Sequence, residues 1–577
     1  MQQRYQPWSG LGPEQHRMAQ HHRHRRTRRR RTTSVRTMNG SLFGTDGIRG
    51  LAVLEAVDEE EAVRLLDEER TVTPALTRVL GEALGATMPM LAGEGNTVVI
   101  GWDDRPCNPA LAETLTLGLR LNGAHVIHIG NCATPTLHAA ILHFNARMGC
   151  MITASHNPVT DSGVKVFDGH GYKSTRPYEF EVSAAVRGLA KEDRDVDEDM
   201  REEESKPQES HLTWAEPFHR SWIKDRWEVF TDLFGGPDEG GNKLSNPFLL
   251  DSAKGFASGW FAALLTNVGV PTLEVSQQAA ALNDRCGAGD MSPTQTWTWE
   301  EASASDHALV RQLQPATEGT WVGAALDGDG DRCLVIEATA TGFKVVDGDA
   351  MAARLLEAGS NHGGWRFAAS IESDVALMGH ARSLNAETVT VETGVGDRWL
   401  SMALRPVDGG FLTGELMPRC LGVEDSGHVV LPSAHPHQQG SWSLVGDGAA
   451  TLCALLASTS RPSVAPFQRG WKRRVSVIDA HRERWQADNH LFDEVQNDAT
   501  ARLNALGFKT TRRKVDGEEH LLLLQGIHES GTVSLGVRNS GTQAKTSLSL
   551  RLSPGVDIEP MARLLDELQQ RLTVALT

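Results

Sequence analysis

The residues with the clearest capacity for chemistry stand in two short stretches. In residues 151–168 (MITASHNPVTDSGVKVFD), Ser155 and His156 follow an apolar, β-compatible run and precede the turn formers Asn157-Pro158 and Asp161-Ser162-Gly163. That order presents a hydroxyl nucleophile at the end of a strand. A plain surface turn is the alternative, and the G-x-S-x-G hydrolase elbow is absent because Thr153 and Asn157 stand at its glycine positions. In residues 327–332 (DGDGDR), Asp327, Asp329 and Asp331 alternate with glycines that allow tight curvature, so the three carboxylates can converge on one hard cation such as Mg2+. The other reading is a solvated acidic turn, but three like charges between two apolar runs are unfavourable without a counter-ion. An EF-hand fails on position: Arg332 stands sixth in place of glycine, and Ala338 twelfth in place of glutamate.

Four further loops carry groups suited to anions or hydroxyls. Residues 41–50 (SLFGTDGIRG) set Arg49 among glycines, a composition that brings amides and a guanidinium close to an anion. Residues 392–399 (ETGVGDRW) and 422–428 (GVEDSGH) are polar and glycine-bearing. In the second, Glu424, Ser426 and His428 alternate, so an extended backbone would aim all three at the hydroxyls of a sugar; a hairpin turn is the plain alternative. In residues 532–543, Arg538, Ser540, Gly541 and Thr542 gather a guanidinium and two hydroxyls at a turn, a phosphate cradle.

These loops need elements to hold them. Residues 96–101 and 125–129 read as strands, and 73–88 and 111–121 as helices, the first opened by Pro74. The alternation predicts an α/β domain with a largely parallel sheet and the Ser155 loop at the C-terminal end of a strand, where ligands bind in such sheets. Residues 248–255 restart the pattern, so a second α/β unit begins near residue 216. Strands 321–326 and 333–336 flank the aspartates. A helix over 492–506, a strand over 547–552 and an amphipathic helix over 559–576 make a closing α+β unit. Residues 191–206 (KEDRDVDEDMREEESK) read as a solvated linker or surface insertion, and residues 285–308 show no periodicity that places them.

The 577 residues allow about four domains. A formal net charge of -17 argues against a nucleic-acid-binding body and for small ligands or a metal, so positive charge for phosphates has to be concentrated locally. The seven cysteines are odd in number and scattered without C-x-x-C spacing, which indicates neither a zinc site nor a disulfide framework and suits a cytoplasmic setting. No apolar run approaches the roughly 20 residues needed to cross a bilayer. Residues 1–37 are rich in arginine and histidine and disordered by composition; a nucleic-acid tail or targeting segment is one reading, an extension unused by the folded part the plainer one.

Taken in order, FGTDGIRG, TASHNP, DGDGDR, ExSGH and R-x-SGT make the chain from about residue 41 onward resemble the α-D-phosphohexomutase superfamily. Within it, FGTDGIRG, GVGDR and GVEDSGH are most similar to the phosphoglucosamine mutases. The resemblance implies three similar α/β domains with mixed sheets and a C-terminal α+β domain that closes a central cleft: 38–215 with a phosphoserine loop, 216–318, 319–465 with the metal and sugar loops, and 466–577 with the phosphate site. It implies that Ser155 carries a phosphoryl group and shares one Mg2+ per chain with Asp327, Asp329 and Asp331. Arg49 and Lys165 would handle protons, with His156 and Arg332 near the reacting phosphate. Thr393, Gly394, Glu424, Ser426 and His428 would hold the sugar, and Arg538, Ser540, Gly541 and Thr542 the other phosphate. The implied reaction moves a phosphoryl group between the 6 and 1 positions of a hexose phosphate through a hexose bisphosphate, which also serves as activator. Glucosamine phosphate is the first expectation, and mannose or glucose phosphate, or a non-catalytic sugar-phosphate-binding relative, the alternatives. A monomer or homodimer without nucleic-acid or membrane partners is expected. The chain departs from the family at Asn539 and Gln543, which replace a proline and a glutamate and change loop stiffness and charge. It departs again at Ser162, where phosphoglucosamine mutases have asparagine.

Overall fold

Strand Met148–Ile152 is apolar throughout and every residue in it is buried, as a strand covered on both faces requires. It lies inside a sheet ordered Thr71–Val72, Ile48–Ala52, Asp161–Asp168, Met148–Ile152, Thr97–Trp102, His125–Asn131, Glu209–Ser210. The pairs from Met148–Ile152 through to Glu209–Ser210 are parallel, whereas Asp161–Asp168 runs antiparallel to both of its neighbours. Alternate residues serve opposite faces. Val98 and Ile100 pack with Leu111 and Leu115 of helix Asn108–Leu121, while Val99 and Met151 pack with Leu137 and Ile141 of helix Thr134–His143. The result is a three-layer unit with the Ser155 loop leaving the C-terminal end of a central strand. Helix Pro74–Thr87 starts where Thr73 accepts from Leu76 N, followed by proline in the first turn.

The computed structural model describes residues 40–192, 194, 198–237, 243–487, 489–540 and 545–577. Residues Ser41–Thr577 cluster as one unit, and the basic segment 1–37 lies outside the described residues.

A second sheet runs Thr296–Thr298, Gly342–Val346, Cys333–Ala338, Trp321–Leu326, Leu244–Asp251, Thr272–Glu274. The aspartate turn joins Trp321–Leu326 to its antiparallel partner Cys333–Ala338, and Trp321–Leu326 pairs in parallel with Leu244–Asp251. The expected division between residues 318 and 319 therefore runs through this sheet: backbone hydrogen bonds join strands on either side of it. The third sheet runs Val389–Thr393, Arg366–Ser370, Cys420–Val423, Val429–Ala434, Ser441–Gly446, Leu412–Thr413. One apolar core, including Phe248, Leu250, Leu326, Leu355, Phe367 and Leu421, spans the second and third sheets. The fourth sheet, Trp471–Ile478 to Lys509–Arg513, is antiparallel at every pairing. Helix Ile558–Leu576 covers it with Met561, Leu564, Leu565, Leu568, Leu572 and Leu576, one apolar stripe at helical spacing.

Two segments left open by the sequence take definite form. The acidic stretch near residue 200 is a surface insertion and not a free linker: it contains helix Glu198–Glu204, and Arg120 donates to the carbonyls of Glu203 and Lys206 at 2.6 and 2.7 Å. Residues 285–308 supply the edge strand Thr296–Thr298 and helix Trp299–Ser303, which opens with a reciprocal cap between Thr298 and Glu301. Among the described residues, no helix is long and apolar enough to cross a membrane.

Candidate active site

Ser155 leaves its strand with φ 55°, a left-handed conformation that costs a residue with a β-carbon about 1–2 kcal/mol. The loop around it is held by hydrogen bonds that offset this strain. Thr153 Oγ1 donates to Asp103 and accepts from Ser155 N at 2.8 Å. The buried Arg105 guanidinium donates to the carbonyls of Ser155, Asn157 and Asp161 at 2.8, 3.0 and 2.8 Å, and also to that of Pro158. So fixed, Ser155 Oγ donates to Asp327 Oδ2 at 2.9 Å, across 172 residues of chain and from the first sheet to the second.

Asp327, Asp329 and Asp331 are all buried, and one carboxylate oxygen from each lies within 4.8 Å of the others. Burial, then the charges of Asp331 and Asp329, push the Asp327 carboxyl up to about 7. Asp331 is also desolvated, but His428 and Lys165 hold it well below the ordinary carboxylate range. Lys165 is not the solvated lysine that an edge strand usually carries. It is 1% exposed, and its Nζ lies 2.5 Å from Asp329 Oδ2, 2.8 Å from Asp331 Oδ2 and 3.3 Å from Asp46 Oδ2. Asp329 Oδ1 and Asp331 Oδ1 have no hydrogen-bond partner among the described residues. Buried carboxylate oxygens without donors, on a glycine-spaced turn, are the donor set of a hard divalent cation, and the residues present fit Mg2+.

Above this floor lies a cavity of about 610 Å³. Arg49, His156 and Arg332 line it, but Ser155, Lys165 and the three aspartates do not; they lie behind that wall. His156 is held neutral, its pKa pushed down to about 2 by the Arg332 charge and by burial. Glu424, Ser426 and His428 also line the cavity, though not by the extended backbone that their alternation suggested. They sit on a hairpin turn between Cys420–Val423 and Val429–Ala434, closed by Glu424 N to His428 O at 2.9 Å. Glu424 accepts from Gly396 N at 2.7 Å, and His428 Nε2 lies 3.4 Å from Asp331 and 3.3 Å from Asp397. Those two aspartates raise the imidazole pKa well above its ordinary value despite burial.

Thr393 and Gly394 are off the cavity. Thr393 is buried with its hydroxyl on the Gly394 carbonyl, and the next three residues, Val395, Gly396 and Asp397, form the wall. On the side of the fourth sheet, Arg538 and Ser540 line the cavity, while Gly541 and Thr542 lie outside the described residues. Arg538 is aimed by Glu372, with Nε and Nη2 at 3.3 and 3.0 Å from Oε1. Sequence reasoning missed Arg474 and Lys545 beside it, as well as Asp46 and Lys173. Lys173 bridges Asp46 and Asp397 at 2.8 Å each, tying the first sheet to the third. Six basic residues, Arg49, Arg70, Arg332, Arg474, Arg538 and Lys545, thus surround one cavity of an acidic chain.

Residues 40–193 match the family described as phosphoglucomutase/phosphomannomutase, alpha/beta/alpha domain I. A phosphoglucosamine mutase of Ruegeria sp. (strain TM1040) is 29% identical over 408 residues, covering 70% of this chain and 76% of that protein. One from Rhodococcus opacus (strain B4) is 28% identical over 442 residues, covering 73% and 80%. The crystal structure of a phosphoglucomutase/phosphomannomutase family protein from Burkholderia thailandensis superposes with a TM-score of 0.58 at 18% identity, covering 93% of this chain and 98% of that one.

Proposed function

We propose that the chain is a member of the α-D-phosphohexomutase superfamily that interconverts hexose 6-phosphate and hexose 1-phosphate, with glucosamine phosphate as substrate; the match of residues 40–193 and the likeness to phosphoglucosamine mutases support this reading. The observation that carries this reading is the 2.9 Å contact between Ser155 Oγ and Asp327 Oδ2, directly behind the wall of a cavity lined by Glu424, Ser426, His428 and six basic residues.

Ser155 Oγ is the phosphoryl carrier. It gives its phosphoryl group to one hydroxyl of the sugar phosphate, forming a bisphosphate, and takes the other phosphate back after the sugar has turned over. Asp327, Asp329 and Asp331, with the Ser155 side chain, would hold Mg2+, which when bound offsets phosphate charge as a Lewis acid. His156, being neutral, contributes a hydrogen bond to the reacting phosphate, and Arg332 contributes charge. Arg49 faces the cavity, so contact with the accepting hydroxyl and its proton falls to it; Lys165, behind the wall, holds the carboxylates in place. Glu424, Ser426 and His428 grip sugar hydroxyls. Arg538 and Ser540, with Arg474 and Lys545, take the phosphate that is not moving, and Gly541 and Thr542 belong to this cradle by their place in the R-x-SGT pattern. A cavity of about 610 Å³ falls in the usual range of about 300–1,000 Å³ for small-ligand sites.

The test is a coupled assay on the 6- or 1-phosphates of glucosamine, glucose and mannose, each with and without Mg2+ and the matching bisphosphate. Fastest turnover on glucosamine phosphate, dependent on Mg2+, is expected. A faster rate on glucose or mannose phosphate reassigns the sugar, and no turnover on any of the three refutes the reading.

A further inference from the structure

The loop that carries Ser155 is held from two sides, and only one of them belongs to its own sheet. On the near side is the Arg105 guanidinium. On the far side is Asn283, in the irregular segment that follows strand Thr272–Glu274 of the second sheet. Its Nδ2 donates to Ser155 O at 2.8 Å and to Asn157 O at 3.2 Å. The same segment touches the residue between them: a β-carbon on Gly289 would fall 2.4 Å from His156 Cβ, so the backbone there lies directly against the loop. A third contact closes the junction. A β-carbon on Gly328, between Asp327 and Asp329, would fall 2.5 Å from Asn283 Nδ2 and 2.8 Å from Ser155 O. Asn283 thus stands where the nucleophile loop and the aspartate turn meet.

The residue type suits the place. Asn283 has φ 60°, a region that asparagine enters more readily than most residues, and is 8% exposed. Its Oδ1 is buried without a hydrogen-bond partner among the described residues. A side chain kept for packing alone would be better without a buried orphan acceptor, which costs about 1–3 kcal/mol. The two donated hydrogen bonds are what the position uses.

We infer that Asn283 is a positioning residue: by holding the carbonyls of Ser155 and Asn157 from the second sheet, it fixes Ser155 Oγ against the three-aspartate turn. The inference rests on Ser155 being the phosphoryl carrier. Phosphoryl transfer leaves little covalent work to a protein and depends on placement, so a small displacement of Oγ is costly.

Asn283→Asp keeps the size and the tolerance of positive φ but turns a carboxylate toward two carbonyl oxygens; Asn283→Gly removes the donor without adding charge. In the full chain, both are expected to lower kcat, the aspartate variant by about 10–100-fold, with KM for the sugar phosphate within about twofold of the parent. Hydrogen exchange in a peptide spanning residues 153–162 should quicken while strand Trp321–Leu326 keeps its protection. Parental kcat in both variants overturns the inference. So does a fall in kcat accompanied by faster exchange throughout the second sheet, which would mark a role in folding alone. If the parent protein turns over no hexose phosphate, the functional reading has failed and the exchange measurement decides by itself: release confined to 153–162 in Asn283→Gly supports the clamp, and unchanged protection overturns it.

Discussion

Lys165 Nζ lies 2.5 Å from Asp329 Oδ2, and both side chains are sealed from solvent. Desolvation alone would favour a neutral amine, yet Asp329, Asp331 and Asp46 hold the lysine pKa well above its ordinary value. The ammonium is the positive charge in closest contact with the acidic floor, with Lys173 and His428 beside it. Lys165→Met strands those carboxylates, and breaking a buried ion pair from one side costs about 3–5 kcal/mol. The variant should therefore melt well below the parent in chelator and regain part of the difference on adding Mg2+, read by scanning calorimetry. An unchanged midpoint in chelator contradicts the assignment.

Ser155→Ala should abolish mutase turnover while leaving the melting midpoint within a few degrees of the parent, because the side chain removed is small and the loop is held through its backbone carbonyls. Asp327→Asn removes the negative charge beside the serine hydroxyl and from one of three candidate cation ligands. Its kcat should fall by more than the about 10–100-fold typical of losing an outer partner of a metal ligand. Turnover of Ser155→Ala at the parental rate, in the coupled assay, would end the phosphoserine mechanism.

Much of the site was legible because its chemistry is local. Glycines alternating with aspartates between two apolar runs mark a tight acidic turn whatever the tertiary context, and Thr73-Pro74 marks a helix start. What escaped depends on distant contacts. Nothing local marks Arg105 or Lys173, and only the fold brings the first to carbonyls about 50 residues away and the second between Asp46 and Asp397. Thr298 and Glu301 already had capping-box spacing, a signal that would have placed helix Trp299–Ser303. Strand Trp321–Leu326 carries no local mark of the sheet it joins, so its parallel pairing with Leu244–Asp251 across the expected division at 318/319 is not legible in the sequence. Gly396, at φ 116°, precedes Asp397, the residue of that loop that meets His428 on the cavity wall, while Thr393 stays buried.

Arg538 and Arg474 share Glu372, the first through Oε1 and the second through Oε2 at 3.1 Å, which fixes the Arg538 guanidinium plane at the cavity wall. Arg538→Lys keeps the charge but loses the fork that suits a phosphate. Hydrogen bonds to charged groups contribute about 1.5–3 kcal/mol each, so KM for the hexose phosphate should rise about 10–100-fold. The change in kcat should be smaller, because this phosphate is not the one transferred. Steady-state kinetics separates the two; an unchanged KM with a lowered kcat would place Arg538 at the reacting phosphate instead.

Acid should unfold the protein partly through histidines that have no role at the site. His138 and His219 are buried and pushed down to about 4 by desolvation, the first with Nδ1 on the Gly171 carbonyl and the second with Nδ1 on Thr136 Oγ1. Because the folded pKa lies below the unfolded value of about 6.5, the unfolded chain takes up the proton first. Stability is therefore complete above about pH 6.5, declines as the pH falls toward 4, and loses nothing further from these groups below that. The loss over this window is on the order of 3 kcal/mol per histidine. Urea midpoints measured from pH 7.5 to 4.5 should fall accordingly, and His219→Gln, which cannot take up a proton, should flatten the decline. An equal slope in variant and parent would show that His219 takes up its proton at the same pH in the folded and unfolded chain.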